Sequence, residues 1–530
     1  MQDRPDPARP RRKAVTIVAA LLLLGAGAAL LSPLLTYPLG RDQGVFACVA
    51  DIISRGGVPY RDAWEMKPPG IFYLFRASFA LFGRSMLAPR LLDLIWTLAT
   101  AAAIYALGRR LLSSWAGLAG AVFLLVRYVA GHSFWNTTQC EGFASLPLAL
   151  AALSLAGAEQ KRSTKLALLS GVLVALAIML KLTLGVFLAL PCIALLVCPA
   201  EGIRGRALRA VGYLVGCLAA LGIVVGLLAW AGALRDMYQV LFVWNTKYAA
   251  LRAPGTSLMR ELAAFMVGGR YLLLLPIGLL AVLGTGDLIA RPEAGRMRWL
   301  LPAWALVMIA GVWLQGKYYT YHWLAVLPPL ALLAGQGVCT IWFLLRRAAP
   351  RRAATAIYLV SLVALAGILA AAYWQSLKWP IRHLLGRMPA AEFMRGFENP
   401  RMGGFSLRAN RSVADLIEER TSPRQHIYVW GFEPLIYHLA DRPPASRFIY
   451  QVPLVTAWSP PEWRSELVSD LERGRPSHII VGKGDMMPWM TGRADDSAAQ
   501  LAGYPELARL LQERYAIIED SDRFSVWELR

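Results

Sequence analysis

Long apolar runs separated by short basic stretches dominate the first 380 residues of this 530-residue chain. The first run comes after MQDRPDPARPRRK and reads VTIVAALLLLGAGAALLSPLL. A membrane-crossing helix needs about 20 apolar residues. Runs of that order recur at 14–35, 88–108, 114–131, 141–158, 165–180, 183–199, 210–231, 270–290, 299–315, 323–345 and 355–374. The pattern predicts an α-helical polytopic membrane protein of about eleven transmembrane helices. The first run is too long for a signal-peptide core and no A-x-A site succeeds it, so it reads as an uncleaved span. The segment 165–199 reads as a tight hairpin around Lys181. If it were a single span, the orientation of every later span would invert.

The pattern changes after about residue 380. Short β-like runs appear at 426–431, 478–483, 515–520 and 524–529, with amphipathic helical stretches at 412–420 and 497–515 between them. Strands alternating with helices predict a small α/β domain over 381–530. GKGD at 482–485 comes after a strand but lacks the full phosphate-loop pattern, so it does not point to a nucleotide.

Charge then orients the spans. Only 17% of residues are charged and mean hydropathy is +0.46, against roughly 25% charged in soluble domains. Placing residues 1–13 inside as a basic cytoplasmic tail makes every short inside connection basic, as positive-inside topology requires. An odd number of spans puts the terminal domain outside. The net charge of +21 does not indicate nucleic acid: residues 385–530 hold 18 Lys/Arg against 20 Asp/Glu, so the excess lies in the membrane half. Five of the six cysteines lie in or beside spans, Cys48 lies in the first outer loop, and none occurs after Cys339. No Cys/His spacing fits a metal site.

The few acidic residues of the membrane half fall near its two faces, and none sits at mid-span. Proton-coupled carriers place ionisable groups near the midplane, so the pattern favours chemistry at the outer face over a flippase-like lipid or glycan transporter. The first outer loop, 36–87, carries most of the candidates: Asp42, then Asp62, Glu65 and Lys67. Asp42, just past the first span, is placed to act as a base, although Asp ahead of an apolar helix also serves as an N-cap. Glu141 opens the fourth span, where a negative charge is also simply favourable. Lys67 precedes Pro68-Pro69-Gly70 and a helix too short to span, which holds it at phosphate depth; an interfacial lysine also snorkels to lipid. The outer turn GKYYTYHW, 316–323, offers Tyr321 and His322 amid ordinary belt aromatics. Lys181 is a further cation at the same level.

At these residues the chain resembles a family. RDQGVFACVADIISRGGVPYRDAWEMKPPG with LFGRSMLAPRLLD, and YYTYHW with the later LPPLALLAG, resemble the polytopic C-type glycosyltransferases, near glycosyltransferase family 39 and the bacterial aminoarabinose transferases. The resemblance covers roughly residues 14–345. It implies a membrane catalytic domain over 14–380 in a bacterial inner membrane, with an extracytoplasmic terminal domain. It implies transfer of a hexosyl or pentosyl group, with inversion, from a polyprenyl-phosphate donor to an envelope glycan, lipid or protein. In that reading Asp42 is the base or orients the acceptor, Glu141 is a second acid, and Lys67, Tyr321, His322 and Lys181 meet the donor phosphate. No cofactor beyond the lipid-linked sugar is required. The family's Asp-Glu pair is here Asp42-Gln43, and Val45 stands where the aminoarabinose group carries a basic residue.

Overall fold

The computed structural model describes residues 24–197, 202–251, 257–273, 276–291, 295–398 and 403–530. The basic tail 1–13 and the first part of the span expected at 14–35 lie outside the described residues. Among those described, six helices are long and apolar enough to cross a membrane: Leu87–Leu111, Cys140–Lys161, Ile203–Trp230, Arg296–Gln315, Leu327–Ala348 and Arg351–Leu384. Shorter apolar helices fill the bundle between them, including Ser114–Val129, Thr164–Ile178 and Ile277–Ala290. The span expected at 270–290 is two helices, Leu258–Leu273 and Ile277–Ala290, the second capped by Pro276. The span expected at 183–199 starts as 3-10 turns, Leu182–Ala189, before the helix Leu190–Val197.

The bundle is closed by backbone-to-backbone approaches at glycine. Without a hydrophobic gain from leaving lipid, small residues that let helices touch drive packing. A Cβ on Gly171 would stand 1.9 Å from the Tyr213 carbonyl oxygen. In the same contact Gly212 meets Thr164 and Gly216 meets Leu168. Position 164 thus faces 212 and 168 faces 216, so Thr164–Ile178 and Ile203–Trp230 run parallel. Parallel neighbours need a return between them, and 182–197 supplies it. The hairpin at Lys181 is therefore two passes of chain, and Ile203–Trp230 runs in the same direction as Thr164–Ile178.

In the terminal domain the strands are β1 (Ile427–Trp430), β2 (His478–Gly482), β3 (Tyr515–Asp520) and β4 (Phe524–Leu529), in the order β1-β2-β4-β3. β1 and β2 are parallel, with Ile427 opposite His478; β4 is antiparallel to both neighbours. The parallel pair needs a crossover, which contains the helix Glu462–Gly474.

This domain docks on the first outer loop. Arg41 donates to Glu433 Oε1 through Nε at 2.8 Å and Nη2 at 2.6 Å, both side chains buried. His438 Nδ1 lies 2.7 Å from Asp51, which also receives Arg84 at 2.9 and 2.8 Å. The Trp64 N–H donates to the Arg447 carbonyl at 2.7 Å. The loop and the domain therefore lie on one face of the bundle.

Candidate active site

The helix Arg41–Ser54 begins where the Gly40 N–H donates to Gln43 Oε1 at 3.1 Å. Gly40 is the cap, so Asp42 sits in the first helical turn and does not cap the helix. Negative charge is favourable in that turn. Gln139 Nε2 donates to Asp42 Oδ2 at 3.3 Å and to the Trp135 carbonyl at 2.7 Å. The buried Gln43 amide ties the same second outer loop to the helix. Its Nε2 donates to the carbonyls of Phe134, Trp135 and Thr137 at 3.1, 3.1 and 2.9 Å. Arg90, from the helix Leu87–Leu111, adds bonds to Thr137 Oγ1 and Thr138 Oγ1 at 2.8 and 2.7 Å. The hydroxyls of the NTT triplet at 136–138 are thus used inside the fold.

Lys67 is placed by a second set of contacts. The Gly70 N–H donates to the Met179 carbonyl at 2.8 Å, and a Cβ at position 70 would lie 2.6 Å from that oxygen. Glycine is required by this close approach. It docks the double-proline loop on the end of Thr164–Ile178, just before Lys181. Tyr60 donates to the Lys67 carbonyl at 2.9 Å.

Asp42, Glu65, Lys67 and Tyr321 line one cavity of about 1040 Å³ between the bundle and the terminal domain. That volume is at the upper end of small-molecule sites, enough for a sugar and a phosphate together. Burial works against the charge on Lys67, but Asp42, Glu65 and Glu141 outweigh it and hold the ammonium above the ordinary lysine value. Burial also pushes the Glu65 carboxyl up to about 7, although Lys67 and a Tyr450 hydrogen bond oppose the rise.

Glu141, Lys181 and His322 stand behind Tyr321. Lys181 Nζ bonds the Glu141 carboxylate, so this lysine does not snorkel to the surface, and its ammonium lies 5.8 Å from the Tyr321 ring centre. His322 Nε2 is 3.7 Å from Glu141 Oε1. Burial first, then Lys181 and Lys67, hold the His322 pKa well below its ordinary value. That shift favours the neutral imidazole, and the cationic groups beside it are the two lysines. Asp62 takes no part in the cavity; it accepts from the Val58 N–H and from Arg61, both at 2.7 Å. In the GKGD segment Asp485 accepts from the Ser497 N–H at 2.8 Å, a structural use.

Several lining residues carry no clear mark in the sequence. Glu65 stands beside Lys67, but nothing local shows that it faces inward. Tyr248 lies just past a π-helical turn, Gln239–Trp244, and stacks on Trp244. Phe432, Met487 and Trp489 come from the terminal domain, and no local signal marks them. Among the described residues no group of three or more His, Cys, Asp or Glu is arranged to hold a metal ion.

Residues 66–230 match the family model described as dolichyl-phosphate-mannose-protein mannosyltransferase. No curated protein sequence matches the chain. Among solved structures, ArnT from Cupriavidus metallidurans bound to undecaprenyl phosphate is similar, with TM-score 0.59 and 14% identity over 96% of this chain and 97% of that one. The archaeal oligosaccharyltransferase AglB from Archaeoglobus fulgidus, in complex with an inhibitory peptide and a dolichol-phosphate, gives 0.52 and 11% over 96% and 74%. The arabinofuranosyltransferase AftD from mycobacteria gives 0.50 and 15% over 100% and 42%. The likeness is one of fold: the chain shares with these structures a bundle of membrane helices followed by a terminal domain.

Proposed function

We propose that this chain is a membrane glycosyltransferase. It takes a sugar from a polyprenyl-phosphate donor and delivers it, with inversion, to a hydroxyl of an envelope glycan, lipid or protein on the outer face of a bacterial inner membrane. The observation that carries this reading is the convergence of Asp42, Lys67 and Tyr321 on one cavity roofed by the terminal domain. The lipid phosphates in the ArnT and AglB structures support a donor of that class.

The charges define the chemistry. The acceptor oxygen forms a bond to the anomeric carbon as the bond from that carbon to the phosphate oxygen breaks. The electron pair leaves with the phosphate, which gains one negative charge. The acceptor proton passes to the Asp42 carboxylate, held toward the cavity by Gln139. Lys67 offsets the charge building on the phosphate. At 4 Å and an effective dielectric of 20 such a pair interacts by about 4 kcal/mol, and the ammonium is already in place before the bond breaks. Glu141 and Lys181 hold Tyr321 and His322 at the phosphate end.

The test is transfer of radiolabel from polyprenyl-phosphate sugars to membrane extract by purified protein. Asp42→Asn is expected to lose about 10²–10⁴-fold in rate, the usual worth of a positioned base, while still binding donor. Lys67→Ala is expected to lose about 10–100-fold in donor affinity, the range for a charged hydrogen bond. Equal transfer by all three proteins would refute the site. Movement of intact lipid-linked sugar across the bilayer, with no bond broken, would favour a transporter.

A further inference from the structure

We infer that Glu65 is a second substrate-contacting carboxylate of the cavity and that Tyr450 of the terminal domain is its positioning residue. This rests on the transferase reading above. The chain lacks a second acid after Asp42, where Gln43 is consumed in holding the second outer loop. Glu65 supplies an acid from the other side of the same cavity, beside Lys67.

The geometry leaves Glu65 half used. The Lys67 N–H donates to Oε1 at 3.2 Å, and Tyr450 Oη donates to Oε2 at 2.6 Å. A carboxylate accepts about four hydrogen bonds, two on each oxygen. One position on each oxygen therefore remains, and the residue lines the cavity. Two adjacent acceptor positions suit two neighbouring hydroxyls, as on the ring of a sugar. A buried carboxylate without such work is costly to keep, and an apolar side chain would serve the packing as well. Tyr450 is itself fixed: its ring packs edge-on against Trp64 at 5.8 Å and Phe432 at 4.8 Å. The terminal domain thus sets the direction in which the acid points.

Glu65 works ionised, so transfer requires its proton to be off. The groups that bear on it are Asp42 on the first-loop helix, Tyr60 and Lys67 on its own loop, Tyr248 on the helical segment 245–250, and Tyr450 on the terminal domain. The phenol of Tyr450 donates to the carboxylate and favours the charged form; burial opposes it. Removing the phenol oxygen leaves burial less opposed, so the acid limb of the kcat/KM profile must move to higher pH.

The experiment uses full-length protein with a polyprenyl-phosphate sugar and membrane extract across pH 5–9. Glu65→Gln keeps the size and an acceptor oxygen for the Lys67 N–H, turns its NH2 toward a Tyr450 hydroxyl that can rotate to accept, and cannot carry charge. It is expected to lose at least about 100-fold in kcat/KM and to lose the acid limb. Tyr450→Phe is expected to keep transferring, with its acid limb raised by about one pH unit. Wild-type transfer by Glu65→Gln, or an unmoved limb in a folded Tyr450→Phe, would overturn the inference and leave the transferase reading standing. Failure of the wild type with every donor sugar, while it folds and binds polyprenyl phosphate, would overturn the transferase reading and Glu65's role with it.

Discussion

Gln43→Glu is a change of one atom group that should loosen the site. The wild-type amide donates three bonds, at 3.1, 3.1 and 2.9 Å, to carbonyls of residues 134, 135 and 137. A glutamate keeps the acceptor that caps Gly40 but turns an oxygen toward those three oxygens. The Phe134 carbonyl would retain Arg90 at 3.0 Å and the Trp135 carbonyl would retain Gln139 at 2.7 Å. The loss is therefore two N–H donors shared among three carbonyls, about 1 kcal/mol each, and a buried carboxylate facing those oxygens adds at least about 1 kcal/mol. About 3 kcal/mol of local stability corresponds to about 100-fold faster opening. Hydrogen exchange of residues 133–139 in detergent micelles should rise by that factor. The pH dependence has a definite sign: a glutamate buried among carbonyls has a folded-state pKa above its unfolded value near 4.3. The penalty is then full at neutral pH and relieved as pH falls and the carboxyl protonates. Gln43→Met, which strands no charge, should open less and show no such pH dependence. Unchanged protection of 133–139 in Gln43→Glu at pH 7 would refute the argument that this amide holds the loop carrying Gln139 against Asp42.

Asp51 is desolvated, yet hydrogen bonds from His438 and Arg84 hold its carboxyl below the ordinary value; docking of the terminal domain should therefore be full above about pH 4 and weaken as pH falls further. Asp51→Asn should cost about 3 kcal/mol, the range for one partner removed from a buried pair, read as faster proteolysis of the terminal domain. Gly171→Ala puts a Cβ 1.9 Å from the Tyr213 oxygen while Gly222 has open space, so the first should abolish monodisperse protein and Gly222→Ala should not. Glu141→Gln leaves Lys181 without its carboxylate and should destabilise by about 3–5 kcal/mol, whereas Glu141→Gln with Lys181→Met should recover most of it in thermal unfolding.

Hydropathy makes the bundle legible because a helix facing lipid must be apolar along its length. The four strands are legible within two residues at each end, since each is a short apolar run between polar breaks. The convergence of Asp42, Lys67 and Tyr321 can be anticipated from their shared depth at one face of the bundle. Pairing across the chain cannot. Glu65 meets Tyr450 across 385 positions and Arg41 meets Glu433 across 392; such contacts leave no periodicity. The cap of the first-loop helix departs from the local pattern for a local reason: Gln43 reaches back to Gly40, which frees Asp42 from capping.

The terminal domain forms part of the cavity wall. The helix that presents Asp42 is held at its start by Arg41–Glu433 and at Asp51 by His438 and Arg84. Buried ion pairs give little net stability once desolvation is counted, and apolar residues of equal volume do as well. Their value here is directional. A guanidinium that donates to one carboxylate oxygen through two nitrogens admits few orientations, so the first turn of the helix is aimed as well as docked. The same domain carries Tyr450 to Glu65 and Trp489 to the cavity wall. The helix that carries Asp42 and the carboxylate of Glu65 are therefore both anchored by residues more than 380 positions away, and Lys67 takes its charge state in part from both acids.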